Sequence, residues 1–356
     1  MTDYTIAVTP LIIEETKIND ILRFLQQGEG EYFNAKVLDF EILRFEERPA
    51  SQIFKIKVSL ELGNKNIFVK ISKLDNNISI DELQRKIIRE YEIGKIVYSN
   101  LYETTKYSAI KMIACFHEYY ALVTEECLGD LLSSIIIKYG KLYPDKQSCN
   151  YLKSMCYNCG LLLKNIQDTT WQGKIFDPYE LIEYIDIRLK KLVRDERMVF
   201  DEKMRQGILE YLRKQTVLID KDDLRIAGVH GDFGPNNILV ENQTVKVMDY
   251  ADFQYGSIYQ DITYFYQRLE NFLHNPIFSP GTIIVLQDEF CKGYSPQINI
   301  EHPLFTMFRI RHVINNLRSI LLKTTVPKGK CVPFHVKIFN ERILKIYIKW
   351  LLKVCK

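Results

Sequence analysis

No apolar run in the 356 residues reaches the roughly eighteen that a membrane-spanning helix needs, so an integral membrane protein is not expected. The amino terminus, Met1-Thr2-Asp3-Tyr4, has neither the basic nor the apolar region of a signal peptide, and the cytoplasm is the expected compartment. There is no internal repeat and no low-complexity linker. Glycine is missing from Glu46 to Gln52, a point that matters below. The formal net charge is only +3, and no nucleic-acid partner is expected. The eight cysteines (Cys115, Cys127, Cys149, Cys156, Cys159, Cys291, Cys331 and Cys355) read as free thiols in a cytosolic chain. Cys156-Tyr157-Asn158-Cys159 has the spacing of a zinc half-site or redox pair. No second pair or closely spaced histidines complete it, and Tyr151 to Ile166 reads as a buried helix. With 47% hydrophobic and 26% charged residues, the chain has the composition of an ordinary globular protein long enough for two cores.

Against this background one segment stands out, Val229 to Val240, VHGDFGPNNILV. Asp232, four residues, then Asn237 is the spacing with which a turn presents a carboxylate to an acceptor hydroxyl and a carboxamide oxygen to Mg²⁺. Ile238-Leu239-Val240 and Val245-Lys246-Val247-Met248 read as two short strands joined by a polar turn. Such a hairpin would return the chain and bring Asp249 beside Asn237. Two hard oxygen ligands suit Mg²⁺, which completes its shell with phosphate oxygens and water. Asp232 is thus the candidate base, and Asn237 and Asp249 the candidate metal ligands. Singly, each is more often a turn former than a catalyst; the joint pattern carries the reading.

VHGDFGPNNILV together with MDYADFQYGSIYQDIT resembles the aminoglycoside phosphotransferase and choline kinase superfamily, small-molecule kinases of protein-kinase-like fold. The resemblance implies an α+β, two-lobed architecture with a small antiparallel-sheet lobe and a mainly helical one. It also implies that Asp261 braces the catalytic loop rather than reacting. The sequence has no Arg before Asp232, and Asp249-Tyr250-Ala251 is not Asp-Phe-Gly. Both departures favour a small-molecule acceptor over a protein.

Upstream, Phe54 to Leu60 and Ile67 to Ile71 read as two strands flanking Glu61 to Asn66. Lys70 in Phe-Val-Lys-Ile resembles the strand lysine that holds the α- and β-phosphates. From Ile80 to Tyr98 the pattern is helical, with Leu83, Ile87, Ile88, Tyr91 and Ile96 apolar. Glu90 matches the family glutamate that pairs with that lysine, and Glu92 is the fallback. A solvated surface charge is the bland alternative for both Lys70 and Glu90. Ala121 to Leu132 resembles the family hinge; by position the backbones of Glu125 and Cys127 would meet the nucleotide base. Between the first strand, Val37 to Phe45, and the second, the phosphate loop has no glycine to let amides approach phosphate, and Ser51 could offer a hydroxyl and an amide instead. ATP and GTP both stay open as donor.

The expected division is a helical extension over 1–34 closed by Gly28-Glu29-Gly30, a nucleotide lobe over 35–125 and a larger lobe over 126–356. From Glu301 onward, Arg309, Arg311, Arg318, Lys323, Lys328, Lys330, Lys337, Arg342, Lys345, Lys349, Lys353 and Lys356 face only Glu301 and Glu341. A basic wall repels polycationic aminoglycosides, so a neutral or anionic sugar or glycan fits better as acceptor. The alternatives are a solvated helix face, an aminoglycoside or choline-like acceptor, and a catalytically silent nucleotide-binding pseudokinase. Asp177, Glu180, Glu183 and Asp186 keep the cationic acceptor open, although Asp177-Pro178 also reads as a helix start. Arg311, Asn315 and Arg318 fall on one helix face that could grip a phosphate or carboxylate; pairing with acidic residues is the expected arrangement. Residues 342–356 could lie on an anionic membrane surface, but packing as a closing helix is favoured. Tyr264-Phe265-Tyr266 reads first as helix packing.

Overall fold

The computed structural model describes residues 8–74, 78–101, 104–197, 200–324 and 334–355. Met1 to Tyr4, Lys328, Lys330, Cys331 and Lys356 therefore lie outside the described residues. In chain order the elements begin with α1 (Val8–Gln27), α2 (Glu29–Tyr32), β1 (Val37–Glu47), β2 (Ser51–Leu60), β3 (Gly63–Ser72), α3 (Ile80–Leu101), β4 (Tyr107–Ala109), β5 (Met112–Phe116) and β6 (Ala121–Glu125). There follow β7 (Asp130–Leu131), α4 (Leu132–Tyr139), α5 (Lys146–Thr169), α6 (Pro178–Val193), α7 (Glu202–Thr216), β8 (Ile226–Val229), β9 (Ile238–Glu241) and β10 (Thr244–Val247). The last are β11 (Gln254–Ser257), α8 (Tyr259–Leu273), α9 (Pro280–Tyr294), α10 (Pro303–Thr324) and α11 (Phe334–Val354). Two compact units result, 1–130 with 239–253, and 131–238 with 254–356.

Alternation builds the first unit. Phe54, Ile56, Val58 and Leu60 on β2, and Ile67, Val69 and Ile71 on β3, are buried on one sheet face, where Ile18, Ile21 and Leu25 of α1 join their core. The sheet is antiparallel throughout, in the order β1-β2-β3-β6-β5. The expected connection over Glu61 to Asn66 is tighter than anticipated. Leu60 pairs with Gly63, and Asn64, Lys65 and Asn66 continue β3 opposite Ser59, Val58 and Lys57. Polar residues fit there because these positions of β3 are not buried, and Gly63 supplies the reversal at φ 123°. The amino-terminal helix ends at Gln27, at the Gly28-Glu29-Gly30 stop, and Glu29–Tyr32 form a separate turn of helix. On α3, Leu83, Ile87, Glu90, Ile93, Val97 and Leu101 are buried at helical spacing. Ile96, expected on that face, is exposed.

Helices dominate the second unit. Asp145, Asp177 and Asp201 cap α5, α6 and α7, each carboxylate accepting a backbone amide. Glycine brings α5 and α9 together: a Cβ on Gly160 would lie 2.2 Å from the Phe290 carbonyl oxygen, and one on Gly293 2.0 Å from that of Tyr157. Cys156 and Cys159 are fully buried on α5, and burial pushes both thiols well above their ordinary value. α11 buries Ile343, Tyr347 and Leu351 while Lys345, Lys349 and Lys353 face solvent. Among the described residues no helix is long and apolar enough to cross a membrane.

Candidate active site

In the second unit, β8 runs into His230-Gly231-Asp232, and the turn is built around a buried carboxylate. Asp261, at the start of α8, is 0% exposed. Its Oδ2 accepts the His230 amide at 2.6 Å and its Oδ1 the Gly231 amide at 3.0 Å. Burial pushes Asp261 up to about 6; the His230 charge and the two amides act the other way. Gly231 adopts φ 87°, which favours a residue without a Cβ. The Asp232 side chain is itself held. Asn237 donates through Nδ2 to Asp232 Oδ2 at 2.8 Å and to the Asp232 carbonyl at 2.9 Å. The Tyr264 hydroxyl donates to Asp232 Oδ1. With its nitrogen committed to Asp232, Asn237 keeps its carboxamide oxygen for another partner.

Tyr264 is the residue that the sequence reading left to helix packing. The available signal was its position three residues after Asp261, on the same face of α8. Its ring is fixed between His312, at a centroid distance of 5.3 Å, and Arg268, 5.0 Å away. Burial raises the Tyr264 phenol, and Asp232 adds to the shift, so Tyr264 stays a protonated donor.

The first unit carries the second cluster. Lys70 projects from the face of β3 opposite the sheet core, and its Nζ lies 3.2 Å from Glu90 Oε1 and 2.7 Å from Asp249 Oδ1. The sequence-predicted Lys70, Glu90 and Asp249 are thus one contiguous group, whereas Glu92 is exposed. Glu90 is 4% exposed, and burial raises it to about 7 against the pull of Lys70. Burial works against the Lys70 charge, but Glu90 and Asp249 outweigh it and keep the ammonium protonated. Asp249 is reached by the hairpin of β9 and β10, whose two turn residues, Asn242 and Gln243, have φ 49° and 68° as a tight right-twisted hairpin requires. Asp249 itself has φ 65°, a left-handed backbone at a non-glycine residue.

On the Lys70 face of this unit a pocket of 280 Å³ is lined by residues including Ile53, Lys55, Phe68, Cys127, Leu128 and Gly129. Glu126 closes its rim, bonded to Lys55 at 2.6 Å and to Asn66 at 2.7 Å. The Glu125 amide is taken by the Lys111 carbonyl at 3.0 Å. Ser51 is buried opposite Ser72, and its carbonyl accepts the Arg48 amide. Its hydroxyl is therefore not displayed on the glycine-free turn.

A carboxylate on an amide-braced loop and a lysine clamped between two carboxylates, one unit apiece, define a class: small-molecule kinases of two-lobed, protein-kinase-like fold. The family described as "Phosphotransferase enzyme family" matches residues 63–280, more than half of the chain, and the protein belongs to it. Solved structures are similar across nearly the whole length. A thermostable mutant of aminoglycoside phosphotransferase APH(4)-Ia, in ternary complex with ADP and hygromycin B, is 12% identical, covers 91% of this chain and 98% of its own, and has a TM-score of 0.55. Choline kinase from Cryptosporidium parvum Iowa II is 12% identical over 93% and 94% of the two chains, with a TM-score of 0.55. Choline kinase LicA from Streptococcus pneumoniae is 14% identical over 94% and 99%, with a TM-score of 0.50. At these identities the likeness is one of fold. A sequence search of curated proteins finds no match.

Proposed function

We propose that this small-molecule kinase moves the γ-phosphoryl group of ATP or GTP to a hydroxyl of a neutral or anionic sugar or glycan. In the step, the acceptor oxygen bonds to the γ-phosphorus, the bond from that phosphorus to the β,γ-bridging oxygen breaks, the nucleoside diphosphate leaves, and Asp232 takes the hydroxyl proton. Asn237 and Tyr264 hold the Asp232 carboxylate in one orientation, which supports the role of positioned base. Lys70 would neutralise the α- and β-phosphates, with Glu90 as its anchor. The pocket beside Cys127 would take the base; with its amide engaged, Glu125 would offer its carbonyl. Ser51, being buried, lends a phosphate-loop role no support. Asp249 and Asn237 offer a carboxylate and a carboxamide oxygen, the hard donors that suit Mg²⁺. When bound, the ion would offset phosphate charge.

The acceptor reading rests on one observation. Beside the catalytic loop a pocket of 320 Å³ is lined by Pro235, Asn236, Arg268, Asn271 and Asn275 with apolar neighbours, and by no carboxylate. Three carboxamides suit sugar hydroxyls, which both donate and accept; a polycation would meet Arg268 and no carboxylate in the pocket lining. Of the four acids that kept a cationic acceptor open, Asp177 caps a helix and Asp186 pairs with Arg205 and Lys190, while Glu180 and Glu183 are exposed. Incubating the protein with ATP or GTP, Mg²⁺ and a panel of sugars, glycans, aminoglycosides and choline-like amines, with mass spectrometry of products, tests the reading. Phosphorylated sugar or glycan is expected, lost in Asp232→Asn. Phosphorylation of aminoglycosides alone would overturn the acceptor class, and undiminished turnover by folded Asp232→Asn the role of Asp232.

A further inference from the structure

Arg311 and Arg318, expected to pair with acids, do not. Among the described residues neither they nor Arg188 forms an ion pair; nearby Asp186 is committed to Lys190 and Arg205, and Asp195 to Arg197. Two of the guanidinium groups stack on Tyr184 instead, and Arg318 lines the same pocket as Arg188. Arg188 Cζ lies 3.3 Å and Arg311 Cζ 4.6 Å from the Tyr184 ring centroid. Asn315 donates to the Tyr184 hydroxyl at 3.0 Å and fixes the ring from α10. The result is a pocket of 560 Å³ between α6 and α10, lined by Tyr184, Arg188, Asn315, Arg318, Ser319 and Leu322.

Arg318 and Arg311 act on Arg188 as like charges, while Arg311 also acts on the buried Asp261 carboxylate. Burial first, then the charges of Arg318 and Arg311, push the Arg188 guanidinium below the ordinary arginine value. Arg311 Nη1 is buried with no hydrogen-bond partner. A buried guanidinium nitrogen left unmatched is unfavourable by itself. The guanidinium forks of Arg188 and Arg318 in one pocket lining, with hydroxyl and carboxamide groups beside them, are a donor set that suits a tetrahedral oxyanion. Arg311 and Arg318 also lie beyond residue 280, where the family match ends, so this pocket is built partly from chain outside that match.

We propose that the pocket between α6 and α10 is a binding site for a phosphate monoester group, gripped by Arg188 and Arg318 with Arg311 behind them. The ring of Tyr184 stacks against both Arg188 and Arg311, and Ser319 adds a hydroxyl to the lining. The pocket lining does not include Asp232, and its occupancy does not depend on the phosphoryl-transfer reading.

Isothermal titration of the full chain with inorganic phosphate, glucose 6-phosphate and glucose tests it, repeated on Arg188→Ala, Arg318→Ala and Arg318→Lys. Wild type is expected to bind both phosphates and not glucose, with affinity falling about tenfold or more in each alanine variant and less in Arg318→Lys, which keeps the charge but not the fork. Thermal unfolding without phosphate supplies the control. Removing one of three repelling charges is expected to leave the melting temperature unchanged or raised, whereas loss of a structural ion pair would lower it. Cosedimentation with phosphatidylcholine vesicles containing phosphatidic acid separates the sources of the group: arginine-dependent binding of vesicles but not of glucose 6-phosphate assigns the site to a lipid headgroup. Equal binding of phosphate, glucose 6-phosphate and vesicles by wild type and both alanine variants, or no binding by any, overturns the proposal. Nucleotide consumption by Arg318→Ala, measured alongside, keeps this outcome separate from failure of the phosphotransferase reading.

Discussion

Asp232 is held by two neighbours on different elements, and the two are not equivalent. Asn237 comes from the same turn, but Tyr264 reaches it from α8. Tyr264→Phe keeps the ring against His312 and Arg268 and removes only the hydroxyl, so the carboxylate gains freedom to rotate. A kcat about tenfold lower is expected, equivalent to roughly 1.4 kcal/mol, with the KM for nucleotide little changed. An unaltered kcat in steady-state kinetics would remove Tyr264 from the mechanism. His312, behind Tyr264, makes a second prediction. Its Nε2 lies 3.0 Å from the Gln260 carbonyl, and burial, with Arg311 nearby, holds the ring at about 3 instead of the ordinary 6.5. The folded state therefore prefers the neutral ring. Stability due to this group is complete above pH 6.5 and is lost as pH falls from there toward 3, by up to about 1.4 kcal/mol per pH unit. Denaturant melts between pH 7 and 5 should show a shallower decline for His312→Gln than for wild type, whatever the offset at neutral pH. Equal slopes would refute it. The spacing of Asp232, Asn237 and Asp249 could be read from sequence because the chemistry restricts residue types along a short stretch. Tyr264 could not be separated from ordinary helix packing, because its partner lies 32 residues away.

Elements differ in how openly the sequence announces them. The β9–β10 hairpin was legible from two apolar runs around a polar turn, and α3 from its buried spacing. The bounds of β3 were not, since Asn64, Lys65 and Asn66 look like loop but pair with β2. Nor could sequence alone reveal the contact of α5 with α9, where two glycines remove the side chains that would keep the backbones apart. Gly160→Ala would place its Cβ 2.2 Å from a backbone carbonyl oxygen that cannot turn aside. A loss of about 1–3 kcal/mol is expected from forcing the helices apart. Gly207 in α7 gives the contrasting case, with nothing within 4 Å of a built Cβ. There alanine is expected to stabilise by up to about 1 kcal/mol through helix propensity. Thermal denaturation of the two variants should move in opposite directions; a shift of the same sign would contradict the packing argument.

For the molecule as a whole, reaction class and acceptor are encoded differently. The class rests on the family match over residues 63–280, the span within which Lys70, Glu90, Asp232, Asn237 and Asp249 fall. The proposed acceptor class rests on a pocket lining without carboxylates around Asn236, Asn271 and Asn275, and such a lining leaves no motif to find. The excess of basic residues after Glu301 divides among different surroundings. Arg309 is absorbed by Glu270 and the Trp350 ring, Lys345, Lys349 and Lys353 face solvent, and Arg318 lines a pocket while Arg311 stacks on the Tyr184 ring beside it. Charge counted along the chain cannot distinguish these three fates.

The left-handed backbone of Asp249 bears on how such a protein responds to selection. A non-glycine residue at φ 65° carries strain, and Lys70 keeps its Glu90 partner when Asp249 is removed. Asp249→Gly is therefore expected to raise the melting temperature, by an increment corresponding to up to about 1 kcal/mol, while eliminating turnover. A lower melting temperature would show that the carboxylate stabilises the fold more than its backbone strains it. Selection for heat resistance alone would drift toward glycine at this position and discard the enzyme; only a screen that also demands product would keep the aspartate.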